Sequence, residues 1–477
     1  MEIFMDMVFG CDKVTDPYIR EQLQRVKKIK SLAYPPICLP NIHKKEGLES
    51  PPQFVTATKK TIVPMLSAPS LNCGMSVFTT SLFKEDFSPE FFVMFARRLR
   101  IHVPQRIGKF QTFLNWIGIE ERPFLPYDLT ESELEDFFVH GAKAATKKYN
   151  LPESELENIE YGGSLFTNEE MKNLNLKHLI PRSSYRNAKH EMGYNFGGNH
   201  FLELHYVETI KDKALAERFN IKQNQLLFFY HGGGGHATYH LGRYFANRKK
   251  NKTSEKFALF FLKCIFHFGY PNGLKHFRER WKYYFSSRAF PEIPVETEEG
   301  KRLLHSIKAA MNYGYGYRVA LLRRLIDALE ESLPEKAPKV SFLWDAAHNS
   351  IIEEYIDGQQ LIVHRQDAMR IFSKKPVMIS GSNNTLSYIG VGGNNITSSF
   401  HSLSPSAAKT IERYVHEKKS TKDPLHQTLI SKRKEKKLKG VPHTYSDGLF
   451  EVTRAFEQEG IIQPLAYIRP LASIKGH

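Results

Sequence analysis

The sequence predicts an α+β fold, and three observations carry that expectation. Short apolar or β-branched runs recur, ending near Val63, Val77, Leu204 and Phe229. Segments with helical periodicity are mixed among them. No internal repeat is present. At 477 residues the chain is one large domain or two ordinary ones, and a hydrophobic fraction of 41% can build a core.

The elements follow in chain order. Residues 18–32 have helical periodicity, and proline turns follow at 35–36 and 51–52. A helix is predicted from Glu131 to Tyr149, with Thr130 and Glu133 forming a capping box ahead of Leu134 and Phe137. Residues 208–219 read as a second short helix. Residues 236–288 interleave aromatic and basic side chains, which suits either base stacking with phosphate contacts or a helix with a buried aromatic face. Residues 287–300 read as loop. Residues 301–332 are the longest helical pattern, interrupted by Gly314 and Gly316. Strands are expected over 339–344 and 360–364. Residues 381–395, rich in Gly, Ser and Asn, read as loop. Residues 417–440 are polar and basic, with Lys432-Arg433-Lys434-Glu435-Lys436-Lys437, and read as a mobile loop or a phosphate-contacting arm.

Composition narrows the function classes. No apolar run approaches the ~20 residues of a membrane span. Glu2, Asp6 and Asp12 make the N-terminus a poor signal peptide. The four cysteines (11, 38, 73 and 264) have irregular spacing and no disulfide framework is expected, so a reducing, cytoplasmic setting is the simplest reading. The balance of 67 basic against 51 acidic residues, a net +16, favours a polyanionic partner such as nucleic acid.

Four residues carry metal-ligand chemistry. Cys73 lies in Leu-Asn-Cys-Gly-Met. His200 lies in Gly197-Gly198-Asn199-His200-Phe201-Leu202-Glu203. His231 precedes the run Gly232–Gly235, and His348 ends Asp345-Ala346-Ala347-His348. Each sits at the end of an apolar run beside glycine or a turn. One thiolate and three imidazoles suit a borderline divalent ion such as Mn, Fe, Co or Zn. Their wide spacing excludes a compact zinc finger and requires a cavity assembled by a whole domain. Asp345, three residues before His348, is expected to fix the tautomer of that ring. His236 and His240 have the spacing of two ligands on one helix face. Ala237 stands where a metalloprotease motif needs glutamate, so both are read as surface or hydrogen-bonded histidines. The run Gly232–Gly235 is not a P-loop, because no Gly-Lys-Ser/Thr follows.

The ordered set of motifs resembles the RtcB family of RNA-splicing ligases. It includes Pro40-Asn41-Ile42-His43, Asn72-Cys73-Gly74, Gly197 to Glu203, His231-Gly232-Gly233, Asn312 to Arg318, Asp345 to Asn349, His364-Arg365, Gly381-Ser382, Thr385 to Tyr388 and Arg469 to Gly476. The resemblance implies an RtcB-like fold, with mixed sheets and surrounding helices around a central metal and nucleotide cleft. It would span 30–477 as a single catalytic domain after a helical extension over 1–29, with a basic aromatic insertion at about 236–300 and a basic loop at 417–440. It implies an enzyme that joins RNA 3′-phosphate or 2′,3′-cyclic phosphate ends to 5′-hydroxyl ends with GTP and Mn, and an activating protein partner. By resemblance Cys73 bridges two Mn ions, His231 and His348 complete one shell, and His200 belongs to the other. Asn199, Glu203, Ser382, Tyr445 and Lys475 would hold the guanine nucleotide.

The chain departs from the family pattern at four places. Ser70 replaces an aspartate ligand of the second metal, so that ion should bind weakly or be lost. Asn41 replaces another aspartate. The family's His-Arg-Lys-Gly-Ala is here His364-Arg365-Gln366-Asp367-Ala368. The family's nucleophile is a histidine that opens His-Gly-Ala-Gly-Arg. An ungapped register from Phe400 puts Pro405 there, and a four-residue deletion puts His401 there. Both registers stay open on sequence. Two rival functions follow, a metal-dependent phosphoesterase on RNA ends that never carries GMP, and a non-catalytic RNA-binding relative.

Overall fold

A computed structural model describes residues 9–101, 124–194, 196, 198–248, 253–270, 273–286, 290–432 and 438–475. Its strands, in chain order, are β1 (Ile37–Cys38), β2 (Phe54–Thr58), β3 (Thr61–Ile62), β4 (Gly74–Phe83), β5 (Phe201–Ile210), β6 (Gln225–Gly232), β7 (Ile293–Pro294), β8 (Val340–Ala347), β9 (Asn349–Ile356), β10 (Gln359–Gln366), β11 (Met369–Arg370), β12 (Pro376–Ile379), β13 (Ser387–Gly392), β14 (Ser402–Leu403), β15 (Lys422–Lys432), β16 (Lys439–Thr444) and β17 (Ile462–Lys475). The fold is α+β, as expected. Nine strands form one sheet in the order β12-β13-β17-β5-β6-β4-β8, with β15 and β16 added beside β17. A second sheet runs β1-β2-β10-β9.

The main sheet is covered on both faces. Leu226, Phe228 and Tyr230 of β6 join one apolar core, and Leu227 and Phe229 join the other. That two-sided burial explains why β6 reads as an unbroken apolar run instead of an alternating one. The first core includes the long helix Glu298–Ser332.

Several local expectations change. The helix over 18–32 is Pro17–Val26, capped by Asp16. Past it, Ala33 donates to Ala57 O, and Ser31 O accepts from Lys59 N, which draws the chain alongside β2. The Thr130–Glu133 capping box forms, but the helix divides into Glu131–His140 and Ala142–Lys148 at Gly141. Gly141 has φ +58°, and a Cβ there would lie 2.0 Å from Gly163 O. The helix over 208–219 shrinks to Lys213–Arg218, because 208–210 stay in β5, with Ile210 paired to Ala466. The long helix is continuous through Gly314 and Gly316. These glycines admit Asn72 and Phe137 against the helix surface. The 287–300 loop contains β7 and the start of that helix. The expected strand at 339–344 is β8, reaching Ala347, and that at 360–364 is β10; β9 lies between them. The 381–395 loop contains β13, paired to β12 and β17. The 417–440 segment is largely the antiparallel pair β15–β16, and residues 433–437 lie outside the described residues. β16 is the outer strand of this pair and β15 is held between β16 and β17, so backbone pairing makes strands of a segment whose composition reads as loop.

Cys11 and Cys38 form a disulfide, correcting the expectation of none. Pairing of Gly10 with Ile37 brings these distant cysteines together, which spacing could not reveal. The disulfide also withdraws the support that cysteine spacing lent to a reducing compartment. Among the described residues no helix is long and apolar enough to cross a membrane. The aromatic–basic segment has both buried and exposed rings. Phe266 and Tyr284 are buried, whereas Phe257, Phe261 and Trp281 are exposed.

One buried ion pair joins the long helix to the sheet. Arg318 donates from Nε and Nη2 to Asp345 of β8, at 2.5 and 2.9 Å. The same guanidinium donates to Asn72 O and Oδ1, both at 2.8 Å. Both charged side chains are fully buried. Arg318→Met would strand the Asp345 carboxylate in the core. It should cost about 3–5 kcal/mol of stability in urea unfolding, and a loss under ~1 kcal/mol would contradict this account.

Candidate active site

Sheet topology alone gathers the site. Neighbours β5, β6, β4 and β8 are all antiparallel. In such a row, the start of one strand lies beside the end of the next. His200 precedes β5, His231 closes β6, Cys73 precedes β4 and His348 follows β8. All four therefore emerge at one sheet edge. Backbone bonds lock the outer pair, since His348 N donates to Cys73 O at 2.8 Å and Asn72 N to Asn349 O at 2.9 Å.

The side chains converge. Cys73 Sγ lies 3.3 Å from His200 Nε2 and 3.6 Å from His231 Nε2. His231 Nε2 lies 3.1 Å from His348 Nε2. The donor atoms of Cys73, His200 and His231 all lie within 4.8 Å of one another, and His348 joins through His231. A tetrahedral ion with bonds of about 2.0–2.3 Å has edges of about 3.3–3.6 Å, so these separations suit ligands of a divalent cation. His200 meets the cluster through Nε2, and its Nδ1 is buried without a hydrogen-bond partner among the described residues.

Electrostatics agree with the geometry. Burial opposes ionisation of Cys73, but His200, His348 and His231 overcome it and hold the thiol well below its usual range. Burial pushes His231 down, favouring the neutral, ligating imidazole. Burial also opposes charge on His348, yet Cys73 and then Asp367 push it up. A thiolate–imidazolium pair results, and a divalent cation would take the place of that proton.

Asp345 does not face His348, correcting the sequence expectation. It is held by Arg318 and accepts from Ser76 Oγ at 2.5 Å. The carboxylate near His348 is Asp367, whose Oδ1 lies 3.1 Å from Nδ1. Sequence reasoning recorded Asp367 only as a departure from a motif. An acid beside an otherwise matching His-Arg segment was the signal available. Asn41 Oδ1 accepts from Thr410 N and Oγ1 at 2.9 Å, anchoring a neighbouring helix. Gln366 is buried against Ser50.

Of the residues expected to hold nucleotide, Asn199, Glu203 and Lys475 lie at this edge. Lys475 in β17 pairs with Phe201, and Ser473 with Glu203, so Lys475 and Glu203 share a sheet face. Glu203 Oε2 lies 3.1 Å from His205 Nε2. Asn199 O lies 3.3 Å from His231 Nδ1. Ser382 lies in the β12–β13 loop, which leaves the sheet at this edge because β13 is antiparallel to β17. Tyr445 is exposed, and its neighbours Thr444 and Ser446 bond that loop through Asn384 O and Leu386 N. Gly197 and the His236 and His240 side chains lie outside the described residues.

The segment after Phe400 takes a definite path. His401 Nδ1 lies 3.4 Å from Glu354 Oε2, and its carbonyl accepts from Ile371 N at 2.9 Å. Leu403 pairs with Met369, two residues from Asp367. Pro405 O then accepts from Ser380 N at 2.9 Å, and Ala407 N donates to Ser380 O at 2.8 Å. The chain thus advances from His401 toward the Ser380–Ser382 loop as it reaches Pro405.

The family model for tRNA-splicing ligase RtcB matches residues 22–476. The chain belongs to the RtcB family. It is 23% identical over 434 residues to the tRNA-splicing ligase RtcB of Thermococcus kodakarensis, covering 85% of this chain and 80% of that protein. To the Pyrococcus horikoshii tRNA-splicing ligase RtcB it is 24% identical, covering 85% of this chain but 44% of the relative. To the RNA-splicing ligase RtcB homolog 1 of Entamoeba histolytica it is 22% identical, covering 85% and 73%. The RtcB match spans both sheets and all four converging side chains.

Two outcomes test this RtcB-family centre. Cys73→Ala and His231→Ala should each lose most bound divalent metal by elemental analysis. In the wild-type protein, protons compete for the imidazoles. The competing proton sits on His348, whose imidazole is pushed up, against its burial, to about 10 by Cys73 and Asp367, so affinity should already fall as pH drops below about 10, measured by chelator competition.

Proposed function

We propose that the chain joins RNA ends, a 3′-phosphate or 2′,3′-cyclic phosphate to a 5′-hydroxyl, using GTP and a divalent ion such as Mn. One observation carries the reading. A thiol and three imidazoles from four neighbouring strands converge at the edge where Asn199, Glu203 and Lys475 also emerge. Cys73, His231 and His348 would hold one cation, and Cys73 with His200 would contact a second. Ser70 offers only a hydroxyl to that second ion, which weakens it. When bound, such ions stabilise charge on non-bridging phosphate oxygens. Asn199, Glu203 and Lys475, with Ser382 and Tyr445 on the adjoining loops, would hold the nucleotide. An RNA substrate is supported by the net charge of +16. Exposed Phe257, Phe261 and Trp281, with Lys256, Arg278 and Lys282 exposed in the same segment, suit base stacking and phosphate contacts.

A specific observation favours a second reading. His401 faces Glu354, while Pro405 adjoins the Ser380–Ser382 loop. A proline at the nucleophile's place has no nitrogen able to carry GMP. The same centre would then direct water against a cyclic phosphate, making the chain a metal-dependent phosphoesterase.

Labelled GTP and Mn separate these readings. End joining by GMP transfer requires an acid-labile protein–GMP adduct that disappears in His401→Ala. Opening of a 2′,3′-cyclic phosphate without any adduct selects the phosphoesterase. Absence of both selects a non-catalytic RNA-binding role.

RNA affinity should fall with salt. Each phosphate contact contributes about −0.7 to the slope of log K against log salt. Lys282→Ala should make that slope shallower, by titration of a fluorescent single strand. A flat dependence in the wild type would exclude phosphate contacts.

A further inference from the structure

Asp367 stands out on backbone and side-chain grounds together. Its φ is +52°, a left-handed conformation that glycine adopts freely and side-chain-bearing residues rarely do. Its side chain is nonetheless kept in a defined place. Gln53 Nε2 donates to Oδ2 at 2.8 Å. Its backbone N donates to Asn349 Oδ1 at 2.8 Å, and the next residue, Ala368, donates to His348 O at 2.8 Å. These bonds place Oδ1 3.1 Å from His348 Nδ1, within ion-pair distance though not aligned as a hydrogen bond. The opposite nitrogen of that ring, Nε2, faces His231 Nε2 at 3.1 Å. The imidazole is thus bracketed between a fixed carboxylate and the ligand cluster.

We propose that Asp367 is the positioning residue of the cation centre: its carboxylate fixes His348 with Nε2 directed to the ion and supplies the second negative charge of the site. The proposal rests on reading Cys73, His200, His231 and His348 as a cation centre. A carboxylate behind a ligand histidine fixes the tautomer and raises the basicity of the ligating nitrogen. Charge arithmetic points the same way. One thiolate and one carboxylate balance a divalent ion, whereas Ser70 and Asn41 add no charge. Asp345 cannot serve, because Arg318 and Ser76 already hold both of its oxygens. The ligand class is a borderline divalent cation, with imidazole and thiolate as donors.

The test uses Co(II) as the probe on the full chain, comparing wild type with Asp367→Asn, Asp367→Gly and Cys73→Ala. Affinity is read by chelator competition, ligand geometry by visible absorption, and metal-free stability by thermal melting. The Asn and Gly variants should bind Co(II) about 10–100-fold more weakly, with an altered visible spectrum. The metal-free Gly variant should melt no lower than wild type, because glycine relaxes the +52° backbone. Cys73→Ala should show no thiolate-to-metal absorption. Wild-type affinity in Asp367→Asn would overturn the proposal, as would a loss of affinity matched by a fall in metal-free melting temperature in both variants. If wild type binds Co(II) no better than Cys73→Ala, the cation-centre reading itself fails, and this proposal with it.

Discussion

The site depends on the fully buried pair Arg318–Asp345. The guanidinium divides its donors between the Asp345 carboxylate on β8 and the Asn72 turn that precedes Cys73. It thereby couples the long helix, the strand leading to His348 and the turn presenting the thiol. Asn72 adopts φ +52° and donates in turn to Met311 O on the same helix. Gly314 leaves room for that side chain. Such an arrangement adds little net stability compared with an apolar core, but it sets the position of the Cys73 turn.

Around that anchor, antiparallel pairing does the assembly. Residues separated by more than a hundred positions become neighbours because four adjacent strands alternate in direction. Both faces of the sheet are packed, so its strands have little freedom to slide. A one-residue slip in β6 would turn His231 to the opposite face and bury Phe229 in the wrong core. His231 lies in a strand, and Cys73, His200 and His348 lie one residue beyond strand ends, so rigid strands hold all four side chains closely in place.

The chain gathers one thiol and three imidazoles, whereas the oxygen donors that the resemblance leads one to expect are replaced. Ser70 and Asn41 lack charge, and the Asn41 side chain is occupied by Thr410. Asp367 introduces a carboxylate on the far side of His348. Between His401 and Pro405 the chain brings a proline and not an imidazole beside Ser380. Metal and nucleotide features therefore diverge unequally. The Cys73, His200, His231 and His348 side chains still converge, while the segment expected to carry GMP departs furthest from the expected pattern.

The sequence by itself determined the α+β class, the Thr130–Glu133 capping box, the four residues that converge and the family. Those signals are local, either residue types fitted to one chemistry or short motifs in a preserved order. It misjudged the 417–440 segment, the Gly314–Gly316 stretch and the partner of His348. In each case the deciding contact comes from far along the chain. Charged residues of β15 form a strand because β16 and β17 supply backbone partners. The glycines continue a helix because Asn72 and Phe137 occupy the space they leave. Asp345, close to His348 in sequence, is claimed by Arg318, and Asp367 reaches the ring because β9 and β10 pair Gln366 with Asn349. Only the tertiary structure could decide these points, since hydrogen-bond partners and charge neighbours across a sheet are set by strand register, which adjacency in sequence does not encode.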